Sequence, residues 1–285
     1  MMKRYPRVLT IAGSDSGGGA GIQADIKAIS ATGGYAASAI TAVTVQNTLG
    51  VSAVHIVPPE TVVGQIEAVL SDIGADAVKI GMLGTADTVA AVYGAIQKFH
   101  IDNIVLDPVM VATSGDKLIE DEAVGMLKEK LAPLARVITP NIPEAEAILG
   151  EKLRSRDDLP RFARSISEKI SNPELRRVSV YMKAGHLEED VLADIFYNAE
   201  EDRFVELASP YVRTVNTHGT GCTLSSAIAS YLAQGFGLDE SAGLAKNYLK
   251  NALVSGAGYE IGRGHGPVNH FWLLKKNQLT LKDVS

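Results

Sequence analysis

The feature that most constrains the fold is an alternation. Five short apolar runs rich in β-branched residues, at 8–12, 77–80, 104–106, 137–139 and 178–182, are each bounded by turn-forming residues. Between them lie longer segments with helical character, at 22–31, 59–71, 85–99, 120–131 and 159–170. Runs of continuous apolar residues read as strands buried on both faces, and such strands belong to parallel sheets covered by helices on each side. The alternation therefore predicts an α/β fold with a mostly parallel central sheet.

Two places break the order. Residues 35–46 and 51–57 both read as strands, joined by the turn Asn47-Thr48-Leu49-Gly50, so an extra β element interrupts the winding. Residues 191–197 and 203–207 flank 198–202 as a β-hairpin, after which 223–234 and 240–254 read as helices rich in Ala, Leu and Ser. The most charged stretch, 151–177, keeps Leu159, Phe162, Ala163 and Ile166 on one helical face, which is the pattern of a solvated surface helix. With no repeat and no low-complexity linker, the chain is expected to form one domain over residues 1–285.

Composition narrows the function. There are 27 Lys and Arg against 33 Asp and Glu, a net charge of −6, and no lysine-rich tract, so the electrostatic footprint of a nucleic-acid binder is missing. No apolar segment approaches the roughly 18 residues of a membrane span, and residues 1–12 lack the length and cleavage site of a signal peptide. The single cysteine, Cys222, excludes an intrachain disulfide and a thiolate cluster, and a cytoplasmic location is expected. Six histidines show no metal-ligand spacing, and G-x-S-x-G is absent, which argues against a hydrolase.

Three sets of residues remain. Gly13-Ser14-Asp15-Ser16-Gly17-Gly18-Gly19-Ala20-Gly21 follows the first strand and opens a helix, either as an anion-holding loop or as a tight strand-to-helix turn. Asn216-Thr217-His218-Gly219-Thr220-Gly221-Cys222-Thr223 precedes another helix, whose unpaired N–H groups form a phosphate cradle. Cys222 would fall in its first turn, read either as a thiol with lowered pKa or as a small buried side chain. Asp107-Pro108, Asn141-Ile142-Pro143-Glu144 and Lys183-Ala184-Gly185-His186 each follow a strand, where open α/β sheets bind ligands. The carboxylates suit Mg²⁺ held through water, although Asn141 and Glu144 also suit a helix start. Strand-end acids beside two glycine loops favour phosphoryl transfer.

The motifs TIAGSDSGGGAGIQADIKA, TVQNTLGV, KIGMLGT, DPVM, SGD, TPNIPEAE, NTHGTGCTLSSAIA and GHGPVNHF occur in this order between about Arg7 and Trp272. In them the chain resembles the bacterial hydroxymethylpyrimidine and phosphomethylpyrimidine kinases of thiamine synthesis, in the ribokinase superfamily. The resemblance implies a three-layer α/β/α ribokinase-like fold with a small flap at 110–118, ATP and Mg²⁺ as cofactors, and a homodimer. It implies that Gln46 reads the aminopyrimidine and that Gly13, Ala20, Asp25, Met82 and Val109 line its pocket. Asp107, Asn141 and Glu144 would serve magnesium and phosphate, and Lys183 and Thr217 the nucleotide. Gly219, Thr220, Gly221 and Cys222 would form the anion hole, with Cys222 as base where many sugar kinases carry Asp. Ala184 departs from the family, in which a second glycine often follows the lysine. The expected activity is phosphorylation of the pyrimidine alcohol and then of its monophosphate. The alternatives are a pyridoxal or pyridoxine kinase, against which the lone cysteine argues, and a catalytically silent ligand sensor.

Overall fold

The computed structural model describes residues 4–110, 119–185 and 191–274. Among them, nine strands build one sheet: β1 (Arg7–Asp15), β2 (Tyr35–Asn47), β3 (Gly50–Ile56), β4 (Ala77–Ile80), β5 (Ile104–Leu106), β6 (Val137–Ile138), β7 (Ser179–Met182), β8 (Val191–Asn198) and β9 (Arg203–Pro210). Their spatial order is β3-β2-β1-β4-β5-β6-β7-β8-β9. The strands from β2 to β7 run parallel, while β3, β8 and β9 are antiparallel additions at the two edges. The two departures from alternation in the sequence are therefore the two edges of the sheet.

Among the described residues eight α-helices cover it: α1 (Gly21–Ala31), α2 (Pro59–Asp72), α3 (Ala86–Gln97), α4 (Asp121–Met126), α5 (Ile142–Leu149), α6 (Leu159–Ile170), α7 (Thr220–Ala233) and α8 (Leu238–Gly256). Alternate strand residues feed two cores. Leu9, Ile11, Val78, Ile80, Ile104, Leu106 and Met182 pack with α2 to α6. Val8, Ala77, Val105, Val137 and Tyr181 pack with α1, α7 and α8. This is the three-layer α/β/α architecture expected of the sequence. No described helix is long and apolar enough to cross a membrane.

One helix differs from its expected span. Residues 120–131 are α-helical only to Met126, then widen into a π turn, Leu127–Leu131, and a 3₁₀ turn, Ala132–Leu134. Pro133 lies in that last turn; it has no N–H to return to the preceding turn, so the α-helical ladder cannot run through it. The expected flap at 110–118 lies outside the described residues except for Met110, and so does His186.

Chain order reverses at β1, which lies between β2 and β4. In sheets of this kind the crevice beyond the carboxyl ends of the strands at such a reversal is where ligands bind.

Candidate active site

A cavity of about 870 Å³ opens there, within the range of small-molecule sites. Gly13, Ala20, Gln46, Met82 and Val109, expected to meet the pyrimidine, line it, and so do Asp107, Asn141, Glu144, Lys183 and Thr217, expected to meet metal and nucleotide. Gly219, Thr220, Gly221 and Cys222 also line it. Thus all but one of the expected site residues face one cavity.

Gln46 reaches the cavity by strand alternation, two residues on from Thr44, which also lines it. Pairing of β2 with β3 slips beside it, Val45 opposing Ala53 and Gln46 opposing Val51, so a bulge adjoins this position. Ser16 anchors the bulge from the first glycine loop: its hydroxyl donates to the Gln46 carbonyl at 2.7 Å and accepts the Gln46 N–H at 2.9 Å. The Gln46 side-chain amide lies between Thr44 Oγ1, at 3.0 Å, and His218 Nε2, at 3.4 Å.

The first glycine loop does hold an anion, but the anion belongs to the chain. The Asp15 carboxylate accepts the N–H groups of Gly17, Gly19 and Ala20 at 2.7, 3.0 and 2.8 Å, and lies 2.8 Å from His218 Nε2. Burial works to raise this carboxyl, yet the bonds from His218, Ala20 and Gly17 prevail and hold it at about 2. A phosphate-cradling role for the loop is thereby corrected: its inward N–H groups are already taken.

The second loop keeps part of its donors. Helix α7 begins at Thr220 behind Gly219, which has φ 79° and no side-chain cap; the Thr220 N–H goes to the Thr217 carbonyl at 3.3 Å, and those of Gly221 and Cys222 remain for a ligand. A β-carbon on Gly219 would collide with the Gly19 carbonyl, so the two glycine loops touch here. At Gly221 it would sit 3.3 Å from Lys183 Nζ and 3.4 Å from Asp107 Oδ2. Glycine therefore lets the helix end meet the charged groups at van der Waals range. Cys222 is half-buried, but its expected acidity is reversed. Burial pushes the thiol up to about 11; Lys79 pulls down, and Asp25 and Asp107 oppose it.

In the charged cluster, Lys183 Nζ lies 3.0 Å from Asp107 and 3.7 Å from Glu144. Burial raises the Asp107 carboxyl, but Lys183 and Lys79 outweigh it and leave it below the ordinary value. Glu144 goes the other way: burial pushes it up to about 7 despite Lys183, helped by the negative charge of Asp107. Asn141 and Glu144 cap α5 reciprocally, Asn141 Oδ1 accepting the Glu144 N–H at 2.9 Å and Glu144 Oε2 the Asn141 N–H at 2.8 Å. The helix-start reading of these two residues is thus realised in the same place as the site. Ala184, buried, donates its N–H to Asp194 Oδ1 at 2.9 Å, and Asp194 Oδ2 is held in turn by Tyr181 and Lys246. The strand end carrying Lys183 is pinned without a second glycine.

Asp25 is the exception. It is fully buried beneath the cavity rather than lining it. Lys79 Nζ meets both of its oxygens at 2.9 Å, Thr10 Oγ1 donates at 2.6 Å and Ser226 Oγ at 2.7 Å. The expectation that Asp25 faces the pyrimidine is corrected: a buried carboxylate needs a counter-ion and donors, and these take it. Sequence reasoning missed Lys79, which sat inside an apolar run, and gave Asp15 no role. The available signal was charge: a lysine in a strand buried on both faces requires a partner.

A ribokinase-like fold with an uncapped glycine-loop helix over a lysine–carboxylate cluster defines a small-molecule kinase class. Within that class, the chain belongs to the phosphomethylpyrimidine kinase family, whose model matches residues 15–269. It is 48% identical over 269 residues to the thiamine biosynthesis bifunctional protein ThiED of Geobacter sulfurreducens, covering 93% of this chain and 53% of that one. The chain thus spans about half the length of that relative. It is 47% identical to the hydroxymethylpyrimidine/phosphomethylpyrimidine kinase of Rhizobium meliloti, covering 92% of this chain and 96% of the other. Among solved structures it is similar to the ADP complex of Bacillus subtilis pyridoxal kinase, with a TM-score of 0.84 and 33% identity over 95% of this chain and 99% of that one.

Proposed function

We propose that the chain transfers the terminal phosphoryl group of ATP to the hydroxymethyl oxygen of 4-amino-5-hydroxymethyl-2-methylpyrimidine, and then phosphorylates the monophosphate to the diphosphate. The observation that supports this most is the meeting of two unlike sets of groups in one cavity: an amide reader, Gln46, and the Lys183 cluster, with the uncapped start of α7 lining the same space. An amide offers a donor and an acceptor side by side, which suits a ring nitrogen next to an exocyclic amine. Lys183 and the α7 N–H groups would hold phosphate oxygens and take up the charge that a loose transition state spreads over them. Transfer of this kind depends chiefly on position and charge, so turnover does not need Cys222 as base: its thiol, pushed up to about 11, keeps its proton, and the proton of the acceptor hydroxyl passes to a phosphate oxygen as the new P–O bond forms and the bond to ADP breaks.

Among the described residues no three His, Cys, Asp or Glu converge as a metal cage. Asp107 and Glu144 nevertheless fit Mg²⁺, which needs only one or two carboxylates besides water and phosphate oxygens. Glu144 at about 7 is a carboxylate short of positive charge. When bound, the ion would neutralise phosphate charge. A homodimer is part of the same reading; Val43, Val45 and Leu49, exposed on the β2–β3 hairpin, offer it an apolar face. Sedimentation showing only a monomer would remove that part.

The deciding experiment measures ADP release with the pyrimidine alcohol, its monophosphate and pyridoxal in parallel. Turnover of both pyrimidines is expected. Turnover of pyridoxal alone would move the chain to the vitamin B6 kinases, and pyrimidine binding without turnover would make it a sensor.

A further inference from the structure

The phosphoryl-transfer reading leaves the Asp15–His218 pair beside Gln46 without a task. An ionised carboxylate only accepts hydrogen bonds, and Asp15, held at about 2, is ionised at neutral pH. Its 2.8 Å contact therefore requires a proton on His218 Nε2. The imidazole packs directly on Gly19, where a β-carbon would collide with Cδ2.

That proton decides how the Gln46 amide sits. A half-turn of an amide exchanges its oxygen and nitrogen, so orientation follows from the partners. With nitrogen toward His218, two donors face each other across 3.4 Å. The single Thr44 hydroxyl proton must then serve both Gln46 Oε1 and the Ser14 carbonyl, each 3.0 Å away. With oxygen toward His218, the conflict disappears. The imidazole N–H, given to Asp15, then has an acceptor rather than a second donor beside it, the amide N–H donates to Thr44 Oγ1, and the Thr44 proton goes to Ser14. One amide N–H and one oxygen lone pair are left over for a ligand.

We propose that Asp15, His218 and Thr44 are positioning residues that lock the Gln46 amide with its oxygen toward His218, and that this lock lets the site choose an amidine edge over a lactam edge. The inference rests on the reading of Gln46 as the group that meets the aminopyrimidine. A 4-aminopyrimidine presents a ring-nitrogen acceptor beside an N–H donor. Its 4-oxo counterpart presents a ring N–H donor beside a carbonyl acceptor, the same pair in reverse. A glutamine free to turn satisfies either one, so a glutamine discriminates only when something else holds it still.

The test compares kcat/KM for 4-amino-5-hydroxymethyl-2-methylpyrimidine and for its 4-oxo analogue in the unmodified chain, in His218→Phe and in Thr44→Val. His218→Phe keeps a ring on Gly19 and removes the N–H; Thr44→Val keeps the shape and removes the other anchor. The amino-over-oxo preference is expected to fall by about tenfold or more in each variant, the oxo compound gaining while the amino compound loses. A merely structural role would lower both substrates by one factor and leave the ratio unchanged, which overturns the lock. So does an unmodified chain that uses both compounds equally. Circular dichroism checks folding, and if His218→Phe does not fold, the ratio in Thr44→Val decides. Absence of turnover with either pyrimidine in the unmodified chain overturns the reading of the site and the lock with it, whereas robust amino turnover with a ratio indifferent to both substitutions overturns the lock alone.

Discussion

Two buried lysines stand under and beside the same cavity, and they are wired differently. Lys79, on β4, has no solvent-exposed side chain although it borders the cavity floor, and Asp25, which it grips by both oxygens, is completed by Thr10 and Ser226. Lys183, just beyond β7, keeps 17% of its side chain exposed and is shared between Asp107 and Glu144 at unequal distances. The first cluster has its polar groups closed upon one another; the second leaves a cation, and a carboxyl at about 7, facing open space. A closed pair ties β1, β4, α1 and α7 together beneath the loops. An open one keeps charge available for a substrate.

The largest expected effect tests the closed pair. Lys79→Met strands the Asp25 carboxylate and should cost about 3–5 kcal/mol of folding stability, whereas Lys79→Met with Asp25→Leu should recover most of the loss. Urea midpoints read both, and a neutral single variant would show that enclosure has been overrated.

Closed polar groups should also announce themselves in stability against pH. His270, 4% exposed, has Nε2 2.9 Å from Thr223 Oγ1, whose own proton goes to the Gly219 carbonyl at 2.7 Å, so the imidazole is the donor. Burial, and then the charge of Lys27, push it down to about 4 from 6.5. Between those values the unfolded chain binds the proton that the folded chain refuses, so stability falls as the pH drops through that window. The loss should reach up to about 3 kcal/mol by pH 4. His270→Gln should flatten that part of the curve; a variant as steep as the parent would refute the assignment.

The open pair should respond in the opposite currency. Lys183→Met is expected to lower ATP-dependent turnover by about a hundredfold, roughly 2.7 kcal/mol, through lost charge neutralisation. It should disturb folding far less than Lys79→Met, because Glu144 can take up a proton when the cation is gone. Equal loss of stability in the two variants would erase the distinction.

The same contrast explains what could be read from the sequence. The parallel strands were visible because β-branched runs such as Ile104–Leu106 announce burial on both faces, and the sheet's antiparallel edges because they broke the pattern. The open site was visible because glycines and strand-end acids lie contiguously in motifs such as Gly219-Thr220-Gly221-Cys222. The closed cluster was not: Thr10, Asp25, Lys79 and Ser226 are far apart in the chain, and their meaning exists only once they meet. Asp15 was hidden for a related reason, since a loop built for an anion looks the same whether the anion arrives or is already covalently present. The reversed acidity of Cys222 came from burial, which outweighs a position at a helix start.

The smallest effect belongs to a pair with the best contacts. Arg136 donates from Nε and Nη2 to the two oxygens of Glu200 at 2.8 and 3.0 Å, a bidentate arrangement that neither buried lysine can form. Yet Glu200 is 45% exposed, so water and salt compete for both charges. A double-mutant cycle on Arg136→Ala and Glu200→Ala should give a coupling of about 0.5 kcal/mol, shrinking toward zero in 1 M salt. Salt should leave the Lys79–Asp25 coupling almost untouched, because a pair without solvent contact is screened little. If the Arg136–Glu200 coupling instead matched that of Lys79–Asp25, contact geometry rather than enclosure would rank the ion pairs of this protein, and the division into closed and open charge would lose its physical basis.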